Sequence, residues 1–240
     1  MRFLFLILIL SGSNAWAALP IPRGMTGVDR HKAAEILGFG TGYKVLGNPY
    51  PLGGYSGYEV GLSMDFIDTS VMADLGTKAS EQATTSYFAV SLSKGLFYGI
   101  DFALQFSPLG QNERFSGFGG ALRWGFAEMA SQPVHFSLQA TANSGNFQEL
   151  INTTTQSFDF IAGYTRDAWS LYVGTGLIRT SALFIGGVNG VNFDQSTVTE
   201  SIASVQTFGG LSVNWADYFL ALQASRVVDS NYALKLGARF

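Results

Sequence analysis

The chain has 240 residues with a formal net charge of −3, no cysteine, 29 glycines and a charged fraction of 13%. That charged fraction lies well below the roughly 25% of an ordinary soluble domain, yet no apolar run reaches the ~20 residues of a membrane-spanning helix. The lack of cysteine excludes a disulfide framework and thiolate metal sites, and the absence of a basic run gives no reason to expect nucleic acid as a partner.

The first residues have the pattern of a secretory signal peptide. Arg2 supplies a positive charge, residues 3–10 form a short apolar core, and Ala15-Trp16-Ala17 matches a cleavage site. An apolar core this short is unsuited to a membrane anchor. We therefore predict a signal peptide over 1–17 that is cleaved after Ala17, which sends the mature chain out of the cytoplasm.

Residues 18–54 differ in pattern from everything that follows. Asp29 is the predicted cap of a short helix that continues through Leu37. Over 37–45, apolar residues alternate with glycines and a lysine, which predicts a strand. The sequence NPYPLGG at 48–54 indicates a tight connection.

From residue 55 onward the chain is a succession of short strands in which apolar side chains alternate with small or polar ones. About ten strands of the length needed by a tilted membrane strand are predicted. They lie near 55–67, 84–94, 98–107, 118–126, 134–141, 157–164, 169–177, 211–215, 218–222 and 231–240.

The composition of the second face of these strands, the one that carries the small and polar residues, indicates which face lines the inside of the barrel. A soluble barrel would turn its apolar face inward and show water a face rich in lysine and glutamate. Here the second face is mostly glycine, serine, alanine, threonine and glutamine, which suits a crowded polar lumen. The charged residues on that face are the predicted lumen charges: Glu59, Asp65, Asp101, Arg123, His135, Asp159, Lys235 and Arg239.

Connection lengths predict the orientation of the strands. Connections near 95, 128–133, 167–168 and 216–217 are short, whereas those near 69–83, 108–114, 144–156 and 180–203 are longer. This alternation is typical of periplasmic turns and extracellular loops. The aromatic girdle expected at the periplasmic end consists of Trp124, Trp169, Trp215, Tyr218 and Phe240. The last long loop, with its GGVNGVN run, is either a lid or receptor loop or an ordinary surface loop.

The terminal stretch, NYALKLGARF over 231–240, alternates most regularly and ends on phenylalanine. It resembles the C-terminal signature of Gram-negative outer-membrane β-barrel proteins. The resemblance implies a location in the cell outer membrane, surrounded by outer-membrane lipid and lipopolysaccharide. It also implies that the barrel-assembly machinery reads the last strand, through Tyr232, Leu234, Leu236 and Phe240.

Strand parity constrains the N-terminal segment. Because ten is an even number, the first strand begins and the last strand ends on the periplasmic side, so residues 18–54 are predicted to lie in the lumen or beneath its mouth as a possible plug. A wall of twelve strands is the alternative. The predicted fold is thus an all-β, transmembrane, antiparallel up-and-down barrel over 55–240, preceded by a signal peptide over 1–17 and the segment 18–54.

The same reasoning predicts two charge clusters in the lumen. If the first and last strands close the barrel, Glu59 faces Arg239, with Lys235 a little farther along the last strand. Pairing the third and fourth strands through their loop places Asp101 opposite Arg123, close enough for a bidentate contact. This pair is expected either to set a polar barrier across the lumen or to act as a structural staple.

Catalytic and metal-binding patterns are weak. The histidines, His31 and His135, have no serine or aspartate placed beside them by a motif, and no acidic cluster has metal-ligand spacing. We therefore predict no enzyme activity, no metal and no cofactor.

Two function classes follow from the predicted barrel. Eight-stranded barrels are filled by side chains and sixteen-stranded ones leave an aqueous pore, so ten strands predict a narrow or plugged, porin-like channel or carrier for a small solute. The alternative is a closed structural or surface-binding barrel that acts through its extracellular loops.

Overall fold

The computed structural model describes residues 21–77, 84–107, 115–129 and 132–240. The predicted signal peptide over 1–17 and the predicted loop over 108–114 lie outside those ranges. Ten strands form the wall: β1 (Tyr58–Asp68), β2 (Thr84–Gly95), β3 (Ile100–Ser107), β4 (Phe115–Glu128), β5 (Val134–Phe147), β6 (Ile151–Arg166), β7 (Trp169–Phe184), β8 (Val198–Trp215), β9 (Tyr218–Arg226) and β10 (Ser230–Arg239).

Each strand pairs antiparallel with its neighbours in sequence, and β1 pairs with β10 to close the barrel. The prediction of about ten antiparallel strands is confirmed, and the twelve-stranded alternative is wrong. The predicted register is also the observed one, because Glu59 lies opposite Arg239 and Asp101 lies opposite Arg123. Backbone hydrogen bonds of 2.9 Å in both directions between Tyr58 and Phe240 extend the closing pair.

The wall is apolar outside and polar inside. On the outer face Phe118 is 60% exposed and Leu177 is 68% exposed, whereas Thr180 and Ser212 on the inner face are fully buried. This is the reverse of a water-soluble barrel and is the arrangement of one whose outer surface meets lipid. The inside-out prediction is therefore confirmed.

Several strands are longer than predicted. β5 and β6 are joined by residues 148–150 alone, so the predicted loop over 144–156 is wrong, and the loop between β7 and β8 shortens to 185–197. The strand ends were missed because outward residues there are polar, such as Thr154 and Gln156. With both faces polar, the alternation that marks a strand disappears.

The N-terminal segment is helical where a strand was predicted. Helix α1 (Gly27–Ala34) continues into a π-helical stretch over Glu35–Phe39, so the strand prediction over 37–45 is wrong. The N-cap is Thr26 rather than Asp29: the Thr26 side chain accepts from the Asp29 backbone N–H, and the Asp29 carboxylate accepts from the Thr26 N–H. The two residues together form a capping box.

Among the described residues, no helix combines the length and the apolar character that crossing a membrane requires.

The segment 21–57 runs through the barrel from one mouth to the other. Near its start, the Met25 N–H donates to Val191 O in the 185–197 loop, at 2.8 Å. Near its end, the Leu52 N–H donates to the Asp101 carboxylate at the start of β3, at 3.1 Å. The mouth with the 69–77 and 185–197 connections is called the outer mouth below, and the mouth with the short turns is called the inner mouth.

Candidate functional site

The outer half of the lumen, filled by residues 25–42, is a hydrophobic core. From the segment, Leu37 is fully buried, and Ile36 and Phe39 are nearly so. Inward side chains from several strands and from the loops of the outer mouth complete the cluster: Ile67, Met72, Leu75, Tyr87, Phe147, Ile151, Ile178, Ala182, Phe184, Val191 and Ile202. The inner face of the wall is thus polar overall but turns apolar around residues 25–42 of the segment.

Two glycines allow the segment to touch the wall directly. A Cβ at Gly38 would lie 2.1 Å from Thr180 Cγ2, and one at Gly40 would lie 2.6 Å from Ile67 Cγ2. The Thr155 hydroxyl donates to Gly38 O at 2.9 Å and lies 2.8 Å from the Thr180 hydroxyl. The glycines that suggested a strand are therefore contact points of a helical backbone against the wall.

A buried ion pair marks the lower limit of this core. Lys44 Nζ lies 2.9 Å from Asp65 Oδ1, and the two side chains are 6% and 2% exposed. The lysine also donates to Gly40 O at 2.8 Å. Lys44 therefore ties the segment to β1 and also to its own preceding turn.

The inner half of the lumen, filled by residues 43–54, combines small apolar clusters with charged groups. Val45 packs with Ile161, Tyr172 and Phe208, whereas Leu46 packs with Phe219, Ala221 and Ala233. Each cluster is much smaller than the core of the outer half. The remaining contacts of this half are made mostly by charged and polar side chains.

The predicted Asp101–Arg123 pair is formed, with Arg123 Nη2 2.7 Å from Asp101 Oδ2. Both partners also bind the segment: Arg123 donates to Asn48 O at 2.7 Å, and Asp101 accepts from the Leu52 N–H. Their contacts are those of a staple between the wall and the segment. The pair does not stand alone across an open passage.

The seam between β1 and β10 carries the second predicted cluster. Glu59 contacts Lys235 Nζ at 2.6 Å and Arg239 Nε at 2.8 Å. Glu59 and Lys235 are almost fully buried, whereas the Arg239 side chain is 23% exposed and lies over the Phe219 ring. One acidic group therefore joins two cations of the last strand to the first strand.

The two remaining predicted lumen residues lie on β5 and β6. His135 packs against the Tyr50 ring and lies 3.6 Å from Glu128, which accepts a 3.0 Å hydrogen bond from the Tyr50 hydroxyl. Partial burial and then this hydrogen bond raise the pKa of the Tyr50 phenol above its ordinary value. Asp159 accepts hydrogen bonds from Ser157 and Gln206.

Between the segment and the wall, the described residues enclose cavities of about 20, 10 and 10 Å³. A single water needs roughly 10–15 Å³ of such volume. These cavities thus hold isolated waters at most and cannot serve as a path for a solute.

Loops close over the segment at the outer mouth. Arg23 O accepts from the Thr77 N–H at 2.7 Å, and the Arg23 guanidinium donates to Asn189 O at 2.7 Å. Two ion pairs join α1 to the wall, Arg30 with Glu200 at 3.1 Å and Lys32 with Asp229 at 3.7 Å. The 185–197 loop is folded onto the segment.

The predicted girdle residues all point outward near the inner mouth. Their exposed fractions range from 36% for Trp169 to 73% for Phe240, with Trp124, Trp215 and Tyr218 between them. Tyr232 also points outward, and Leu234 and Leu236 follow it on the same face of β10. Recognition of these residues by assembly machinery stays a prediction.

Several lumen residues had no signal in the sequence. Lys44 lay in a predicted strand, and Arg30, Asn48 and Tyr50 lay outside any periodic pattern. Their contacts join the segment to distant parts of the wall, so no local spacing reveals them. Within the described part of the chain, no group of three or more histidine, aspartate or glutamate side chains could hold a metal ion.

No family model and no curated protein matches the chain. Solved barrels resemble it weakly: LpxR from Salmonella typhimurium has a TM-score of 0.41 at 8% identity, covering 76% of this chain and 99% of its own. The N-terminal β-barrel domain of Pseudomonas aeruginosa OprF has a TM-score of 0.37 at 12% identity, and the match covers 78% of this chain and 99% of the OprF domain. The KdgM porin has a TM-score of 0.36 at 10% identity, and the match covers 76% of this chain and 99% of the porin. TM-scores below 0.5 support no inference about the residues of this chain.

Proposed function

We propose that this chain is a closed barrel of the Gram-negative outer membrane that acts through its outer mouth and not as an open pore. The packing of residues 25–54 against the inner wall is the observation that supports this proposal, and the three cavities described beside the segment have room for only one or two waters each. The apolar outer wall and the C-terminal resemblance support the membrane location. In this view residues 21–57 are the core of the barrel.

The energy needed to expel the segment favours this view over a gated pore. Exposing Ile36, Leu37 and Phe39 to water would cost about 1.5–3 kcal/mol for each side chain. Water entering the emptied lumen would hydrate both Lys44 and Asp65, so separating that pair adds little to the cost. At 1.4 kcal/mol per tenfold, the three apolar side chains alone hold the population of an emptied barrel below about one in 10³.

The outer mouth offers a surface that a partner could bind. Val188 and Phe193 on the 185–197 loop are 89% and 79% exposed, and Val28 on α1 is 82% exposed. Exposed apolar surface gathered in one place often marks an interaction site, and these three side chains belong to elements of the same mouth. The loops around them are held by the segment, since Phe193 N–H donates to Met25 O.

A narrow channel or carrier for a small solute is the second candidate. Charged residues from the wall line the inner half of the lumen, and a cavity of about 20 Å³ lies among Glu59, Asp101 and Arg123. Conduction would require residues 43–54 to move and the apolar core of the outer half to open as well.

Planar-bilayer recording separates the two candidates. We expect the full mature chain to give no stepwise conductance. A variant that lacks residues 18–54 should conduct if it still assembles, as judged by a shift between boiled and unboiled electrophoresis. Stepwise conductance by the unaltered chain would overturn the closed-barrel proposal and favour the channel.

The proposed orientation can be tested with single cysteines, because the natural chain has none. In intact cells, Val28→Cys should react with a membrane-impermeant maleimide. Tyr55→Cys, 61% exposed at the inner mouth, should react only after the outer membrane is permeabilised. The opposite labelling pattern would show that the short turns face outward.

A further inference from the structure

A lysine faces outward at the inner end of the wall, held between aromatic rings. Lys94 lies on the same face of β2 as the lipid-facing Leu92, directly opposite Tyr58 on β1. Its Nζ lies 3.7 Å from the centre of the Tyr58 ring and 4.4 Å from that of Tyr55. The ammonium also donates to Tyr55 O. Ring faces attract a cation more strongly where water is scarce, which favours this position at a membrane surface.

The aromatic cluster around Lys94 is larger than these two rings. Tyr55 stacks on Phe97 with ring centres 5.1 Å apart and planes 11° apart. Tyr98 follows in the β2–β3 turn and is 92% exposed. Exposed aromatic rings of this kind are typical of the level of lipid headgroups, where one end is apolar and the other is wet.

The backbone at Tyr98 is strained to present that ring. Tyr98 has φ 59° and ψ 31°, and Gly99 has φ 71°. Two consecutive positive φ values define a type I′ turn, whose first position favours asparagine, aspartate or glycine. A tyrosine there costs of order 1 kcal/mol or more. The turn therefore holds a large, 92% exposed aromatic ring at a position where asparagine or glycine would be less strained.

We propose that Lys94, Tyr55, Tyr58, Phe97 and Tyr98 form a binding site for the phosphate of a phospholipid headgroup. The inference rests on the proposed membrane placement, which puts this end of the wall at the phosphate level of the periplasmic leaflet. An ammonium group has three N–H donors, and the one acceptor that the described residues supply is Tyr55 O. The rings hold the ammonium at the interface, and the phosphate takes the donors that point to lipid.

Native mass spectrometry of the full mature chain, released from micelles doped with phosphatidylglycerol, tests the site. We expect one retained phospholipid on the unaltered protein. Lys94→Gln should lower the retained fraction about fivefold, the factor that corresponds to about 1 kcal/mol for one basic residue at an anionic surface. Arg166→Gln is the matched control: Arg166 ends β6 at the same mouth, faces outward and lies beside Asp167. Its loss should leave the retained fraction unchanged.

A second variant keeps the test decisive if Lys94→Gln fails to fold. Tyr98→Gly removes the backbone strain and should raise the temperature of the mobility shift on unboiled gels, yet it should lower phospholipid retention. Diacylglycerol, which lacks the phosphate, should not be retained. Competition by millimolar inorganic phosphate would assign the site to free phosphate and overturn the lipid assignment.

Equal retention by the unaltered protein, Lys94→Gln and Tyr98→Gly would overturn the site while leaving the barrel proposal intact. Failure of the unaltered protein to enter lipid at all would instead overturn the membrane placement. The two failures are therefore distinguishable.

Discussion

The two halves of the filled lumen are held together by different forces. In the outer half, a helix with Leu37 and Phe39 packs into an apolar cluster, and glycines bring its backbone against Thr180 and Ile67. In the inner half, residues 43–54 are held mainly by hydrogen bonds to charged and polar wall residues such as Arg123 and Asp101. Burial of apolar surface is non-directional, whereas charged contacts depend on exact partners.

The difference shows which half determines whether the barrel is closed. The apolar cluster excludes water whatever the salt concentration, while partly exposed ion pairs weaken with ionic strength. A change that loosens only the inner half should leave the lumen closed, since the outer half still fills it. Each substitution below is chosen to separate these contributions.

The largest effect is expected at the boundary between the halves. Asp65→Ala leaves the Lys44 ammonium buried without its carboxylate, which costs roughly 3–5 kcal/mol. We expect residues 21–57 to become sensitive to protease and the mobility shift on unboiled gels to occur at lower temperature. The double variant Lys44→Met with Asp65→Leu should be much closer to the unaltered protein. Equal damage in the single and double variants would mean that the pair itself matters less than packing.

The second-largest effect is expected from truncating a side chain in the apolar outer half of the lumen. Leu37→Ala removes a fully buried side chain and should cost about 2–5 kcal/mol, depending on how far the cavity collapses. Leu222→Ala is the matched control, because that leucine lies 48% exposed on the outer face of β9. Unfolding in urea from lipid vesicles should show a lower midpoint for Leu37→Ala alone. Similar midpoints would refute the tightly packed outer half.

A smaller effect is expected from adding one methyl group to the segment. Gly38→Ala would place Cβ 2.1 Å from Thr180 Cγ2, and overpacking of this kind costs about 1–3 kcal/mol. Thr180→Ala removes the nearest methyl and hydroxyl, so the double variant should recover part of the loss in a double-mutant cycle. Gly209→Ala, where the nearest heavy atom is 3.5 Å away, should be nearly silent. Additive losses would contradict direct contact between Gly38 and Thr180.

Most of the wall could be predicted because the side chains of its strands alternate with a regular period. Side chains in a strand alternate strictly, so lipid-facing residues identify the strands, and parity then places Glu59, Asp101 and Arg123 inside. The Asp101–Arg123 pair then follows from setting Phe106 opposite Phe118 in the neighbouring strands. The Glu59–Arg239 pair follows from closing the barrel between the first and last strands.

The segment could not be predicted in the same way. Over 37–45 the glycines imitate a two-residue period, although Gly38 and Gly40 are spaced to let a helical backbone meet the wall. The contacts of Lys44 with Asp65 and of Asn48 with Arg123 join residues far apart in sequence. No register links such residues, because the segment is not part of the sheet.

The smallest effect is expected at the seam, where charge is shared among three groups. Arg239→Gln leaves Glu59 paired with Lys235 at 2.6 Å, so the buried carboxylate keeps a cation. The Arg239 side chain is also 23% exposed, and solvent screening limits its contribution to about 1 kcal/mol. Lys235→Gln should lower the free energy of unfolding more, because Lys235 is only 4% exposed and its loss leaves Glu59 with Arg239, the more hydrated partner.

The salt dependence of stability tests the same comparison. Urea midpoints measured at 50 mM and 500 mM salt should differ more for the unaltered protein than for Arg239→Gln, since the exposed Glu59–Arg239 pair is the one that salt weakens. Equal losses from the two substitutions would mean that exposure does not decide the strength of these contacts.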